Sequence, residues 1–295
     1  MASLLISNIS KSYKTNNALR HVSLTLENGV FGLVGPNGSG KTTLLRILAT
    51  TLEPSSGSIE LDSVILSRRT LQLYRSKIGY LPQKNGLYPH MTSLEYLQFT
   101  ASLKGIPTPS TKTLHKLLWE LGVSSKQAAM PIGRLSGGTK QRIGIASAFI
   151  GNPHLILLDE PTAGLDPEER IRFRNLMETR ASSCIIIIST HITQDVELGC
   201  QKLGVLFEGT LIHQSSPQKL IQTVRGKTWE AVISKETYRS IREDLLITSA
   251  VNHGNQIRIH HVGPFKDIGE TEISPTLEDA YVHLIHTITN KRKHP

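Results

Sequence analysis

The sequence predicts an α/β fold: a mostly parallel sheet with helices, an antiparallel β layer at the start and a helical insertion in the middle. Three observations carry this. Short aliphatic runs, VFGLV from Val30, LILL from Leu155 and IIII from Ile185, have the composition of strands buried on both faces. Helical patterns alternate with them, as a parallel sheet requires. From Thr92 to Ile150 helix signals follow one another without a strand between them.

Ser3 to Ser10 and His21 to Leu26 partly alternate between apolar and polar, and read as strands of the antiparallel layer. Val30 to Val34 is a buried strand, followed by glycines and a helix from Lys41 to Thr51. Thr92 and Glu95 form a capping-box pattern ahead of the first inserted helix. A second runs from about Ser110 to Leu121 with Gly122 as its stop, and a third from Ser136 to Ile150. Strands return at Leu155 to Leu158 and Ile185 to Ser189. Between them Asp166 and Pro167 supply an N-cap and first helical residue for a helix reaching about Arg180. Leu203 to Phe207 and Thr210 to His213 pair as a hairpin around Glu208-Gly209. Ser216-Pro217 opens one more helix, and the core domain is expected to end there. The tail from Gly226 adds the strand-like WEAVIS and QIRIHHV and a last helix from Thr276. The expected domains are therefore 1–215, with its helical subdomain at about 84–150, and a small α+β extension at 216–295.

Composition narrows the class. The 295 residues carry 33 Lys/Arg against 24 Asp/Glu, a net charge of +9. That surplus is local: residues 63–150 hold twelve basic side chains and two acids, Glu95 and Glu120, and the rest of the chain is one unit negative. Such a patch suits nucleic acid, anionic lipid or the phosphates of a ligand, or is a solvated helical face. The longest aliphatic run, Ile185 to Ile188, is far short of the ~18 residues of a membrane span. No secretory signal opens the sequence. Two cysteines, Cys184 and Cys200, argue against a disulfide framework. The expectation is a soluble, intracellular chain.

The chemistry begins at GPNGSGKT, which spells out Gly35, Pro36, Asn37, Gly38, Ser39, Gly40, Lys41 and Thr42, with Thr43 next. This is the phosphate-loop pattern, lying between a strand and a helix as the pattern demands. Glycines let successive N–H groups turn onto a polyphosphate, and the helix adds its positive N-terminal end. Lys41 can reach the β- and γ-phosphates, and the Thr42 hydroxyl can ligate Mg²⁺. LILLDEP, Leu155 to Pro161, brings Asp159 to the carboxyl edge of the sheet, where it can hold Mg²⁺. Glu160, one residue on, can orient or deprotonate a water.

LSGGTKQR, Leu135 to Arg142, resembles the signature of ABC-type ATPases and precedes LILLDEP. Tyr13, Gln83 in YLPQ, AGLD at Ala163 to Asp166 and His191 in STH complete the family's order of motifs over about residues 1–215. The one departure is Thr139, where the commonest family version has Gln. The resemblance implies a P-loop NTPase (RecA-like) core that binds and hydrolyses ATP with Mg²⁺. It implies that Tyr13 stacks on adenine, that the loop from Gly35 to Thr43 wraps the triphosphate, and that Thr42, Gln83 and Asp159 make the metal's environment. Glu160 is then the general base and His191 a γ-phosphate contact. Ser136, Gly137 and Gly138 face the γ-phosphate held by a second ATPase subunit, with Asp166 across the same interface, so a dimer is implied.

In transporters of this family a separate membrane subunit docks beside the segment after the glutamine, here Lys84 to Met91. The tail around PTLEDAYVHLI resembles the extension of ATPases serving exporters of drugs, peptides, lipids or ions. The expected place is the cytoplasmic face of the cell membrane, with the basic surplus toward an anionic surface and nucleic acid not the partner. The alternative is a soluble ABC ATPase acting on nucleic acid, the ribosome or a cofactor-assembly complex. His253, His260 and His261 lack a cysteine or carboxylate at ligand spacing and are left as packed or solvated side chains.

Overall fold

The computed structural model describes residues 1–14, 16–190, 196 and 199–293, the last three by backbone alone. The chain divides into two compact units, Met1–Gln214 and Ser215–Pro295. Each is described by itself.

In the first unit β1 (Ser3–Tyr13), β2 (Asn16–Glu27), β4 (Ser56–Leu61) and β5 (Val64–Ile65) form the antiparallel layer, in the order β2-β1-β4-β5. Leu4 lies opposite Leu26 and Ile6 opposite Leu24, so one face of both strands is apolar. The second sheet contains β3 (Gly29–Val34), β6 (Ile78–Leu81), β7 (Leu155–Asp159), β8 (Ile185–Thr190), β9 (Lys202–Phe207) and β10 (Thr210–Ser215). Their order is β10-β9-β3-β8-β7-β6, and β9-β3-β8-β7-β6 run parallel. The aliphatic runs are its centre: Ile185 to Ile188 are each at most 3% exposed, and Leu155 to Leu158 at most 1%. Helix α1 (Lys41–Leu48) buries Leu44, Leu45, Ile47 and Leu48 in one core with residues of both sheets.

The insertion contains α3 (Ser93–Leu103), α4 (Thr111–Glu120), the single turn α5 (Ser125–Ala128) and α6 (Gly137–Ala148); the short α2 (Leu71–Ser76) precedes it. The caps form as read. Thr92 and Glu95 make both bonds of a capping box, Ser110 accepts from the Thr113 N–H, and Gly122 takes φ +72 where the second helix stops. After β7, α7 (Pro167–Ala181) starts with an Asp166/Glu169 capping box and Pro167 in its first turn.

Several elements differ from the expectation. The helix from Lys41 ends at Leu48, three residues early, because Thr50 turns to φ +60. β4, β6 and α2 carry no clear periodicity and were not anticipated; β6 is four residues long, below the length at which alternation speaks.

The second unit begins with α8 (Pro217–Gln222), followed by β11 (Thr228–Ser234), α9 (Lys235–Ile241), β12 (Leu246–His253), β13 (Gln256–Val262), β14 (Thr271–Glu272) and α10 (Leu277–Lys293). Its sheet has the order β12-β13-β11-β14 around a small core of Ala231, Ile233 and Ile259. The sequence anticipated β11, β13 and the last helix but not β12, whose residues LITSAVNH lack regular alternation. A bulge between Ile247 and Ser249 explains why.

Candidate functional site

The phosphate-loop residues form the turn between β3 and α1, and only glycine fits where the chain is most crowded. A Cβ on Gly35 would lie 2.1 Å from the Leu206 carbonyl oxygen. Gly40 combines φ +107 with a Cβ position 2.5 Å from the Ala18 carbonyl oxygen. The turn is clamped from outside: the Gly209 N–H donates to the Ser39 carbonyl (2.9 Å), and the Arg20 N–H donates to the Gly209 carbonyl (2.8 Å).

Lys41 is 6% exposed, and its ammonium donates to the Gly35 carbonyl at 2.6 Å and to Pro36 at 3.1 Å. Burial pushes its pKa down from the ordinary lysine range, while Glu160 and Asp159 pull it back up. A cation held this way inside a ring of carbonyls is prepared for an anion. The Ser39 hydroxyl, also buried, has no hydrogen-bond partner among the described residues.

Asp159 ends β7 at 1% exposure. Its Oδ1 accepts from the Thr42 hydroxyl (3.2 Å) and from the Ser189 hydroxyl, and its Oδ2 has no partner among the described residues. A buried carboxylate oxygen without a donor, beside a threonine hydroxyl, suits a hard cation; the residues present therefore fit Mg²⁺. Glu160 follows at φ +52, a left-handed conformation that glutamate seldom adopts. The turn separates two adjacent carboxylates: Asp159 stays in the interior and Glu160 lines the cavity.

That cavity holds about 650 Å³. Tyr13 stands on its wall, 45% exposed, with the Lys11 ammonium 5.3 Å from its ring centre. Asn37, Gly38, Gly40, Lys41, Thr42, Thr43, Gln83 and Glu160 line it too, so the structure gathers residues from four separate motifs. Asn16, Asn17, Arg20, Glu208 and Gly209 also line it. Sequence reasoning placed Glu208-Gly209 in a hairpin turn but missed this role, which depends on the clamp described above. His191 lies outside the described residues.

Ser136 to Gly138 are not among the lining residues. Ser136 is the N-cap of α6, its side chain accepting from the Thr139 N–H at 3.2 Å. Arg142 in the same helix is held by Glu169 at 2.9 Å, and Glu169 also accepts from the Asp166 N–H at 3.1 Å. The segment carrying Ser136 is thus tied to the cap carrying Asp166. A second bridge was not legible in sequence: Asn85 donates to Gln141 at 2.7 Å, and Gln141 donates to the Pro161 carbonyl at 3.0 Å. It joins the segment after Gln83 to the residue following Glu160.

The ABC transporter family profile matches residues 19–163. The chain is 31% identical over 271 residues to the probable multidrug ABC transporter ATP-binding protein YbhF of Escherichia coli, covering 87% of this chain and 47% of that one. It thus spans about half the length of YbhF. It is 34% identical over 221 residues to the Nod factor export ATP-binding protein I of Burkholderia lata, covering 74% of this chain and 72% of that one. Among solved structures, the dimeric post-hydrolysis state of the ATP-binding cassette MJ0796 with ADP and Pi is similar at 26% identity and TM-score 0.65, over 72% of this chain and 98% of that one. The chain therefore belongs to the ATP-binding proteins of the ABC transporter family.

Proposed function

We propose that this chain hydrolyses ATP to drive a separate membrane subunit of an exporter, with residues 1–215 as the ATPase domain, about 84–150 as its helical subdomain and 216–295 as an accessory extension. The observation that carries the reading is the division of motifs. One cavity holds Tyr13, the phosphate loop, Gln83 and Glu160, while Ser136, Gly137 and Gly138 open a helix elsewhere in the same chain. Two copies facing each other complete both sites, the signature of one meeting the γ-phosphate in the cradle of the other.

In this mechanism Tyr13 stacks on the base and the loop from Gly35 to Thr43 holds the phosphates, with Lys41 exchanging its carbonyl partners for phosphate oxygens. Thr42, Gln83 and Asp159 would hold Mg²⁺, which neutralises charge on the β- and γ-phosphates when bound. Glu160 accepts a proton from water as the water oxygen bonds to the γ-phosphorus and the bond from that phosphorus to the β,γ-bridging oxygen breaks, leaving ADP. His191 is assigned a γ-phosphate contact. ATP favours the closed pair because both cradle and signature touch it; loss of the γ-phosphate removes that preference.

Export is supported by the names of the similar proteins, one a probable multidrug transporter subunit and one a Nod factor export subunit. Among the described residues no helix is long and apolar enough to cross a membrane, so the reading places the membrane path in a partner and this chain on the cytoplasmic face. Part of the basic surplus is spent internally: Lys77 pairs with Asp62 (3.2 Å), Arg142 with Glu169, and the half-buried Lys104 donates to the Ile150 carbonyl at 2.9 Å. Lys112, Lys116 and Lys126 remain exposed, and we assign these to an anionic membrane surface.

The test is Glu160→Gln. It should bind ATP, lose hydrolysis and accumulate as an ATP-bound dimer; near-normal turnover would sink the base assignment. For the partner, native protein that never sediments with membranes or co-purifies with a membrane protein would sink the transporter reading.

A further inference from the structure

We propose that Thr139 and Arg142 are positioning residues that aim the Ser136 hydroxyl proton outward, as a donor to a phosphate oxygen. The inference rests on the functional reading above, in which Ser136 meets the γ-phosphate held by a second copy. It concerns the one position where the signature departs from the commonest family version.

Arg142 has donors only. Its Nη1 donates to the carbonyls of Leu121 (3.1 Å) and Gly122 (2.6 Å), while its Nη2 lies 2.9 Å from Glu169 Oε1 and donates to Thr139 Oγ1 at 3.0 Å. Thr139 therefore accepts from the arginine and must send its own proton elsewhere. The side chain is 1% exposed, so water is not the acceptor. Among the described residues the other group within hydrogen-bond distance of Thr139 Oγ1 is Ser136 Oγ, at 2.9 Å. A buried hydroxyl left without an acceptor is penalised, which fixes the direction: Thr139 donates to Ser136.

Ser136 Oγ already accepts from the Thr139 backbone N–H at 3.2 Å. With the hydroxyl bond added, both of its lone pairs are used. What remains is the serine's own proton, on an exposed residue at the start of α6, beside the exposed Gly137. The Ser136 hydroxyl is thus held as a donor facing out, at a helix end that already favours an anion.

The chain contains its own comparison. The same Ser-x-x-Thr cap occurs at Ser110/Thr113 and Ser234/Thr237, each with hydroxyls 2.9 Å apart. No arginine donates to either of those threonines among the described residues, Thr113 is exposed, and Thr237 is only half-buried. Those hydroxyls can turn either way. At the signature the arginine removes the choice, and Glu169, which also serves the Asp166 cap, holds the arginine in place.

The experiment uses the full chain carrying Glu160→Gln, with ATP and Mg²⁺, and reads two quantities: nucleotide affinity of dilute monomer and the ATP-dependent dimer constant by sedimentation. Thr139→Val keeps shape and removes the hydroxyl. It should leave monomer affinity within about twofold, because the cradle lies elsewhere, and weaken the dimer at least tenfold; Thr139→Ser should restore it. Ser136→Ala should weaken the dimer, and adding Thr139→Val to it should cost nothing further, since the two act as one unit. Dimerisation of Thr139→Val equal to the parent, failure of Thr139→Ser to restore, or additive losses would each overturn the proposal. If Glu160→Gln itself forms no dimer with ATP, the functional reading fails and this inference falls with it.

Discussion

Asp159→Asn separates what the carboxylate does for the fold from what it does for a ligand. In the free protein its Oδ2 is buried without a donor among the described residues, a situation that costs about 1–3 kcal/mol for an ordinary polar group. The amide removes the buried negative charge while its oxygen can still accept from Thr42 and Ser189, where Oδ1 does now. It also removes a charge that supports the buried Lys41 ammonium. These changes oppose one another, so ligand-free stability should stay within about 1 kcal/mol of the parent. Binding is different. A ligand at one hundred times its Kd stabilises the folded state by about 2.7 kcal/mol. For a unit the size of Met1–Gln214, each kcal/mol moves the midpoint by about 2–4 °C, so Mg-ATP should raise it by about 5–10 °C. Thermal melts with ATP, with and without Mg²⁺, read the metal-dependent part directly. Asp159→Asn should lose that part and keep what ATP gives in EDTA. A full metal-dependent rise in the variant, or a ligand-free midpoint lowered by more than about 5 °C, would refute the reasoning.

Gly35→Ala should fail by collision, since its Cβ would sit 2.1 Å from the Leu206 carbonyl oxygen; a loss of about 1–3 kcal/mol in denaturant melts, together with lost ATP binding, is expected. His261 is fully buried against Glu270, at 3.6 Å, and burial lowers its pKa from the ordinary histidine value, with Lys266 acting in the same sense and Glu270 opposing. The unfolded chain then takes up the proton first as pH falls below 6.5, so stability of the second unit should drop on the acid side and level off below the folded value. Trp229, opposite His261 across β11 and β13, reports this in a Trp119→Phe background, and His261→Gln should flatten the acid limb. Replacing Lys112, Lys116 and Lys126 with Gln should weaken binding to vesicles rich in anionic lipid, most at low salt; unchanged binding across salt concentrations would reduce the surplus to a solvated face.

The first unit was largely legible because its strands are buried on both faces and its helices are capped. Aliphatic runs such as Ile185 to Ile188 have one environment in which they are stable, and Thr92, Ser110, Ser136 and Asp166 each stand where an orphaned helix N–H needs an acceptor. The second unit was less so. It is small and half-exposed, and the bulge in β12 breaks the alternation by which a strand announces itself. On the cavity wall, Tyr13, the phosphate-loop residues, Gln83 and Glu160 were named from their motifs, whereas Arg20, Glu208 and Gly209 were missed because a turn or strand residue comes to line the cavity only by being folded against the phosphate loop.

The residues proposed to handle the nucleotide were legible along the chain: the order and spacing of the glycines, Lys41, Thr42, Asp159 and Glu160 are properties of short segments whose local conformation is dictated by glycine freedom and strand burial. Only the tertiary structure decided how two adjacent carboxylates take different surroundings, through the left-handed turn at Glu160. It alone tied the signature helix to Asp166 through Arg142 and Glu169, and fixed the direction of the Thr139 proton. These depend on which groups are buried together, and hydrogen-bond direction is set by the donors and acceptors that burial leaves within reach, which no spacing along the chain records.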